Sequence, residues 1–407
     1  MKKKFSFRNS IEKRYVVTEA LAATAFTLLV TFLISFIPMR SEFIKAVKQG
    51  FLDFDIYDLY FAGRHLPDLK KDSNIVIIEL GVDRNTIADQ LIKLKRCSPA
   101  IVGIDADFSQ PGNAEDNRKL TSAIAELGDH VCLGYAGSTR EEIGTGKGII
   151  YSNHVNSGYI NYSDKDSLSV IREYRPFIKS NGVRYPAFTS AIVSKYNNGT
   201  YRMLEKRNHS VEVINYTGNL ESYVSLSMEE FINADTTGQL ESIVNSKIVL
   251  LGYFVKDNPP VIEDLFFSPV NKRVSGKSFP DMHGVVIHAN ILSMVLNEDY
   301  ISQPSGFVSY LCSILIIFLF LLFILHQYKL KGHPRHGIFL LIQFLLILLV
   351  LYLFLQVFNL FQVKIPLLPI MISLVLCLEL LGVYKNIALW LHKKYEYRTV
   401  FAHKHII

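Results

Sequence analysis

Long uncharged runs of apolar residues dominate the last third of the chain. Three of them occupy residues 307–325, 338–361 and 366–384, and the only charged residue within them is Glu379. About 20 apolar residues, at a rise of about 1.5 Å each, span the roughly 30 Å hydrocarbon core of a bilayer. A helix buried in a soluble core normally keeps a polar stripe, and these runs have almost none. The pattern therefore predicts three transmembrane helices, the first of them over residues 306–326.

A fourth apolar run lies near the other end of the chain, at residues 20–38, behind a basic start. A secretory signal peptide has the same order of a basic segment and an apolar core. This run is long for a signal peptide, however, and no small-x-small cleavage site follows it. We therefore predict an uncleaved transmembrane helix over residues 19–38. The apolar residues of 39–61 recur at helical spacing and predict that the helix continues.

Basic residues are distributed unevenly between the segments that these helices separate. Residues 1–18 carry a net charge of +5, the loop 326–337 carries +3 and the tail 385–407 carries +4, whereas residues 39–305 carry −5. Positively charged segments stay in the cytoplasm. The pattern predicts a multi-pass protein of the cytoplasmic (inner) membrane with residues 39–305 on the periplasmic side. The overall charge of +6 then reflects topology and attraction to the lipid bilayer, and we expect no binding to nucleic acid.

Short runs rich in β-branched residues mark the segment between the first two apolar helices. Helical patterns separate these runs, and such an alternation is typical of a parallel sheet. We predict strands at 74–80, 100–105, 130–134 and 246–252, and helices at 83–96, 120–127 and 187–196. The residues in between favour hairpins, most clearly at Asn181-Gly182, a dipeptide typical of tight turns. The predicted fold class is an α/β domain over residues 39–305, with a mixed, partly parallel sheet, attached to four transmembrane α-helices.

Two acidic residues follow the second predicted strand, in the order Asp105-Ala106-Asp107. Ligands of α/β proteins usually bind at the edge of the sheet where parallel strands end. Residues i and i+2 of an extended segment point the same way, so the two carboxylates can share a cation or a proton. The same pattern opens phosphatases of the haloacid dehalogenase type. Those enzymes also need a downstream lysine and a second acidic cluster, neither of which is evident, so an extracytoplasmic phosphatase is a minor alternative.

A second candidate lies between Gly284 and Asn290, where a predicted strand turns into a helix. A ligand-binding His288 should be partly exposed beside one of the acidic candidates. A structural His288 should be buried and hydrogen-bonded to a backbone carbonyl or a carboxylate. We favour the structural role because a single imidazole is weak evidence for a site. The candidate ligand-binding residues are Asp105, Asp107, Asp264, His288 and Asn290.

Motifs for catalysis, metals and cofactors are missing from the sequence. No H-E-x-x-H and no Cys/His pair supports a zinc site, and neither G-x-S-x-G nor a P-loop occurs. The glycines at 144, 146 and 148 precede a predicted strand, whereas a dinucleotide fold requires a helix there. We therefore predict no metal, no cofactor and no enzymatic activity. Cys97 and Cys132 are predicted to be free cysteines of the core, although an extracytoplasmic disulfide is chemically open to them.

Several short motifs follow one another in a characteristic order. They include YDLYFAGR at 57–64, VGIDADFSQP at 102–111, DLFFSPV at 264–270 and, as the most specific one, GVVIHAN at 284–290. With one membrane helix before the domain and three after it, they resemble the CHASE2 family of bacterial extracytoplasmic sensor domains, over about residues 40–385. Ordinary members of that family continue into a cytoplasmic kinase or nucleotide cyclase, for which residues 385–407 leave no room. The turn with proline and tryptophan that usually follows the first strand is also missing.

The resemblance implies the input half of a signalling system. We expect a sensor that binds an unknown extracytoplasmic ligand and signals through its membrane helices to a separate cytoplasmic or membrane output protein. A homodimer is left open. The competing expectation is an accessory subunit of a transport or envelope-assembly complex. The membrane helices lack paired ionisable residues, which speaks against an ion path, because Glu379 stands alone there.

Overall fold

The structure of this protein is a computed structural model. It describes residues 2–35, 55–63, 71–110, 112–137, 155–162, 169–180, 182–256, 264–271, 279–331 and 336–402. The chain divides into two compact units, which are described separately below. One unit comprises residues 48–301, and the other comprises residues 1–47 together with residues 302–407.

Residues 48–301 are built on a six-stranded sheet in which every pair of neighbouring strands is parallel. The described strands are β1 (Asp72–Glu79), β2 (Ile101–Ile104), β3 (Val131–Tyr135), β4 (Asn156–Tyr159), β5 (Glu173–Tyr174), β6 (Phe177–Ser180), β7 (Val183–Pro186), β8 (Glu212–Val213), β9 (Tyr223–Leu226), β10 (Ile248–Gly252), β11 (Leu265–Phe266) and β12 (Met282–His283). The order in the large sheet is β4-β3-β2-β10-β1-β9. The remaining strands form antiparallel pairs, β5 with β8, β6 with β7 and β11 with β12. The predicted α/β class with a partly parallel sheet is therefore confirmed.

Helices cover both faces of this sheet. The described helices of the whole chain are α1 (Lys2–Ser35), α2 (Asp58–Gly63), α3 (Arg84–Lys95), α4 (Ala114–Leu127), α5 (Phe188–Tyr196), α6 (Asn198–Arg207), α7 (Met228–Asn233), α8 (Gln239–Val244), α9 (Gly284–Leu296), α10 (Gly306–Lys331), α11 (His336–Phe361) and α12 (Leu368–Tyr395). Apolar side chains of α3, α4, α7 and α8 form one core with alternate residues of the central strands, such as Val76 and Ile78. Helix α9 packs against β1, β10 and α5.

The predicted strands at 74–80, 100–105, 130–134 and 246–252 are confirmed as β1, β2, β3 and β10. Strand β10 lies between β1 and β2, although it is the last of the four in the chain. The central residues of these strands are apolar and buried because both faces of the sheet are covered. The helix predicted at 120–127 is longer than expected. It begins at Ala114 because the side chain of Asn113 accepts a hydrogen bond from the N–H of Glu115 (3.0 Å).

One strand glycine allows a helix to approach the sheet closely. A Cβ on Gly103 would lie 2.6 Å from Cδ1 of Ile192 and 2.9 Å from Cζ of Phe188. Both neighbours belong to helix α5, which therefore packs directly onto the centre of β2. A larger residue at position 103 would push this helix away from the strand.

Residues 137–233 depart in part from the predicted hairpins. The hairpin at Asn181-Gly182 is confirmed, because Ser180 pairs with Val183 and Gly182 has φ 79°; Asn181 itself lies outside the described residues. Strand β4, in contrast, joins the edge of the parallel sheet, although its sequence NSGY suggested part of a hairpin. Strand β9 forms the opposite edge and was not predicted at all. The glycines at 144, 146 and 148 lie outside the described residues.

In the other unit, four helices are long and apolar enough to cross a membrane, by length and composition. These segments are Tyr15–Ile34, Gly306–Leu330, His336–Phe361 and Leu368–Tyr395. Apolar side chains of α1, α10, α11 and α12 share one cluster, in which Ala20 of α1 and Leu374 of α12 are fully buried. The four predicted apolar helices are therefore present, and the last continues past residue 384 to Tyr395. The predicted helical continuation over 39–61 lies outside the described residues as far as residue 54.

The cysteines of the sheet unit are free thiols. Cys97 lies in the core under α3, and Cys132 lies in β3, where both are fully buried. The prediction of free core cysteines is confirmed for this pair.

Candidate ligand site

Asp105 is fixed at the edge of the sheet where the parallel strands end. It directly follows β2, and its backbone N–H donates a hydrogen bond to the carbonyl oxygen of Leu251 in β10 (2.8 Å). The side chain is only 10% exposed. This is the edge at which ligands of parallel α/β folds usually bind, as predicted for this residue.

Helix α9 starts at the same edge because β10 ends in a glycine. A Cβ on Gly252 would lie 2.5 Å from Cβ of Val285, so only glycine lets the first turn of α9 rest on the end of this strand. His288 follows one turn later. Its Nε2 lies 3.6 Å from Oδ1 of Asp105, too far for a good hydrogen bond.

The ring of His288 is buried among aromatic side chains. It is 3% exposed, and its centroid lies 4.8 Å from that of Tyr162 and 5.1 Å from that of Phe188. Neither ring nitrogen has a hydrogen-bond partner among the described residues. Burial lowers the pKa of His288 to about 3, so the ring is neutral. His288 is thus buried, as a structural residue should be, but it has no hydrogen bond and lies beside an acidic candidate.

A second carboxylate completes the group. Asp264 has a left-handed backbone (φ 64°) immediately before β11 and keeps its contact with solvent. Its Oδ1 lies 3.7 Å from the point that a Cβ on Gly284 would occupy, at the first residue of α9. The pKa of Asp105 is raised to about 7, mainly by burial and to a smaller extent by the charge of Asp264. Partial desolvation raises the pKa of Asp264 to about 6.

Tyr162 belongs to this site and was missed by the sequence analysis. Its hydroxyl donates a hydrogen bond to the carbonyl oxygen of Gly284 (2.7 Å), and its ring contacts Phe266 edge to face (5.5 Å between centroids). It follows β4, so it lies at the same edge of the sheet as Asp105. Recognising β4 as a sheet strand would have pointed to Tyr162.

The side chains of the two other candidates, Asn290 and Asp107, form hydrogen bonds outside this group. The amide of Asn290 is fully buried, donates to the carbonyl oxygens of Gly218 and Val286 (2.9 Å each) and accepts from the N–H of Thr217 (2.8 Å). These contacts use both donors and anchor α9 to the loop before β9, a structural role. Asp107 is exposed and accepts hydrogen bonds from the N–H and the hydroxyl of Ser109 (3.0 and 2.7 Å).

The structure therefore brings together Asp105, Asp264 and His288, but not Asp107 or Asn290. Within the described ranges, no group of three His, Cys, Asp or Glu side chains is placed to hold a metal ion. The site offers two carboxyl groups and an unpartnered neutral imidazole. Such an arrangement can accept hydrogen bonds from a ligand and exchange protons.

Comparison with known proteins places the chain in a family. The family model of the CHASE2 domain matches residues 26–326, well over half of the chain. No curated protein matches the chain, and no solved structure does. The matched range includes the sheet, the site at its edge, the last part of α1 and most of α10. The chain therefore belongs to the CHASE2 family of extracytoplasmic sensor domains.

Proposed function

We propose that this protein is a membrane-anchored sensor that binds its signal at the site formed by Asp105, Asp264 and His288. Residues 39–305 then lie outside the cytoplasm, and residues 1–18 and 385–407 lie inside it. One observation carries the proposal: in a chain of a sensor family, a buried imidazole without a hydrogen bond lies 3.6 Å from a buried carboxyl group. An unpaired buried polar group costs about 1–3 kcal/mol, a cost that a bound ligand can remove.

The site is connected to the membrane by the chain itself. His288 lies on α9, and residues 297–305 join the end of this helix to the beginning of α10. A ligand that contacts His288 or Asp105 acts on the helix that leads to the second membrane helix. This continuity supports a relay from the domain into the membrane.

A second set of contacts supports a relay to the cytoplasmic tail. Glu19 of α1 is 1% exposed and accepts hydrogen bonds from the hydroxyls of Tyr384 (3.2 Å) and Thr399 (2.9 Å). These bonds connect the first membrane helix, the last one and the chain that follows it. Movement of either helix would therefore change how the tail is held. We propose that a separate output protein reads this change.

We further propose that the chain has no catalysis of its own. The phosphatase alternative needs two carboxylates that work together, and the side chain of Asp107 is bonded to Ser109. The family is sensory, which agrees with this proposal.

Capture of the partner tests the proposed function. The full chain, solubilised in a mild detergent, should retain an output protein, and Asp105→Asn should change the amount retained at equal expression. Asp107→Asn is the matched control, because this carboxylate follows the same strand but lies outside the site, and it should behave as the natural chain does. A permease or an envelope-assembly protein that is retained equally by all three chains would support the accessory-subunit alternative instead.

A further inference from the structure

We infer that the site formed by Asp105, Asp264 and His288 takes a small organic cation that bears a primary ammonium group. This inference rests on the proposed function, because it names the ligand class of the same site. Four observations support it: the charges of the site, its free hydrogen-bond acceptors, its aromatic wall and the poor fit of the rival ligand classes.

The charges of the site favour a cation. The charge of Asp264 acts on Asp105, and neither carboxyl group has an ion pair with a Lys or Arg side chain among the described residues. The groups that face Asp105 are Asp264 before β11, His288 on α9 and Tyr162 after β4. None of them carries a positive charge, since His288 is neutral. Two carboxyl groups in this setting hold a proton, and an ammonium group can replace it.

The free acceptors of the site match the donors of an ammonium group. His288 is buried and has no hydrogen-bond partner on either ring nitrogen within the described residues. Its Nε2 and Oδ1 of Asp105 are 3.6 Å apart, so one nitrogen donor can reach both. Because a neutral imidazole has one acceptor nitrogen and a carboxylate has only acceptors, a ligand with several N–H donors fits this pair.

An aromatic wall and a carboxylate meet at one point beside Gly284. The Cβ position of this glycine lies 3.2 Å from Oη of Tyr162, 3.3 Å from Cε2 of Phe266 and 3.7 Å from Oδ1 of Asp264. Aromatic faces attract ammonium groups, and apolar walls accommodate the carbon skeleton that carries them. Residue 284 has to be glycine, because even a Cβ at this point would crowd the rings of Tyr162 and Phe266.

Two rival ligand classes fit less well. An anion could use the N-terminus of α9, but the two carboxylates beside it would repel the anion. A divalent metal needs a closer set of ligands than the described residues provide. The charges and the free acceptors therefore favour the organic cation.

Thermal unfolding and calorimetry of the full chain in detergent test this inference. Butylammonium is the probe, and butanol is its uncharged counterpart. We expect butylammonium at about 10 mM to raise the melting temperature at pH 8, and to raise it less at pH 5.5, where Asp105 keeps its proton. Butanol should leave the melting temperature unchanged. Calorimetry in two buffers of different ionisation enthalpy should report proton release on binding near pH 7.

Variants assign the effect to the site. Asp105→Asn and Asp264→Asn should each weaken binding of butylammonium at least tenfold, whereas Asp107→Asn should bind as the natural chain does. Asp105→Asn removes a buried acid, so it should fold, and its melting temperature without ligand verifies this. Equal binding by Asp105→Asn, or an equal effect of butanol, would overturn the inference.

Other probes separate this inference from the proposed function. Stabilisation by Mg²⁺ or inorganic phosphate but not by butylammonium would overturn the ligand class. If butylammonium fails while Asp105→Asn still changes the capture of the partner, only the ligand class is wrong. If both experiments fail, the site itself is not the signal site.

Discussion

Burial favours the uncharged forms of Asp105 and His288, and this gives the two residues opposite effects on the pH dependence of stability. The pKa of Asp105 is raised from 3.8 to about 7, so the folded state binds the proton more tightly than the unfolded state does. Its contribution is therefore lost as pH rises from about 4 to about 7. The pKa of His288 is lowered from 6.5 to about 3, so its contribution grows as pH rises from about 3 to about 6.5. In the natural chain the two effects partly cancel.

Single substitutions should expose each effect. Asp105→Asn should gain stability relative to the natural chain as pH rises from about 4 to about 7, by on the order of 2–4 kcal/mol. His288→Phe should be more stable than the natural chain at pH 4. This difference in the free energy of unfolding should disappear as pH rises toward 6.5. Denaturant unfolding of both variants across this pH range measures the differences. Profiles parallel to that of the natural chain would contradict the assigned proton states.

A buried ion pair offers a prediction about stability at the same scale. Arg172 donates two hydrogen bonds to Asp58, 2.8 Å to Oδ1 and 2.7 Å to Oδ2, and the side chain of Asp58 is 1% exposed. Asp58→Ala should cost about 3–5 kcal/mol because it removes the buried carboxylate from a paired carboxylate and guanidinium. Glu126→Ala is the matched control, since its ion pair with Lys95 is exposed and worth at most about 1 kcal/mol. Equal losses in the two variants would show that burial does not decide the effect.

At the scale of elements, continuous apolar runs were predictable and polar edge strands were not. Strands β1, β2, β3 and β10 are covered on both faces, and their continuous apolar runs indicate this in the sequence. Strand β4 contains Asn156, Ser157 and Gly158, and it is a strand only because β3 pairs with it. The same limit applies to the site. Asp105 could be predicted from its place after a strand, whereas Tyr162 could not be placed without β4.

The role of Asn290 was also beyond sequence reasoning. Its amide binds Thr217 and Gly218, which are more than seventy positions away in the chain. Only the folded arrangement brings that loop to helix α9. The sequence presented an amide near a histidine, which suggested a ligand site.

Removing this anchor should destabilise α9. Asn290→Ala removes the buried amide that binds backbone groups of the half-buried loop at 217–218, so we expect a loss of about 1–3 kcal/mol in the free energy of unfolding. Asn297→Ala is the control, because this exposed side chain caps the end of the same helix through Ser293 (2.9 Å). Its loss should be clearly smaller. Similar losses in both variants would argue against the anchoring role.

At the scale of the whole molecule, the distribution of charge sets the topology that the account requires. An alkaline phosphatase fused after Gly306 should be active. The same enzyme fused at His333, which lies outside the described residues, should be inactive. A fluorescent protein at Ile407 should be fluorescent. Phosphatase activity at His333 would contradict the four-helix topology.

The tail is the far end of the proposed relay. Glu396 ends α12 in a left-handed conformation (φ 54°), and the chain turns back so that Thr399 reaches Glu19 (2.9 Å). Phe401 then packs on Tyr328 of α10, with ring centroids 5.6 Å apart. The tail thus touches α1 and α10, the two apolar helices that precede and follow residues 48–301 in the chain.

The central claim is that the site at the sheet edge controls this tail, and labelling of a cysteine at residue 402 tests it most directly. Ala402 is half-buried in the turn after Thr399, so Ala402→Cys reports whether the tail is docked. In the full chain in membranes, with the four natural cysteines replaced, Asp105→Asn should change the rate of labelling by a maleimide severalfold. Asp107→Asn should not change it. Equal labelling rates for the chains with and without Asp105→Asn would contradict the account.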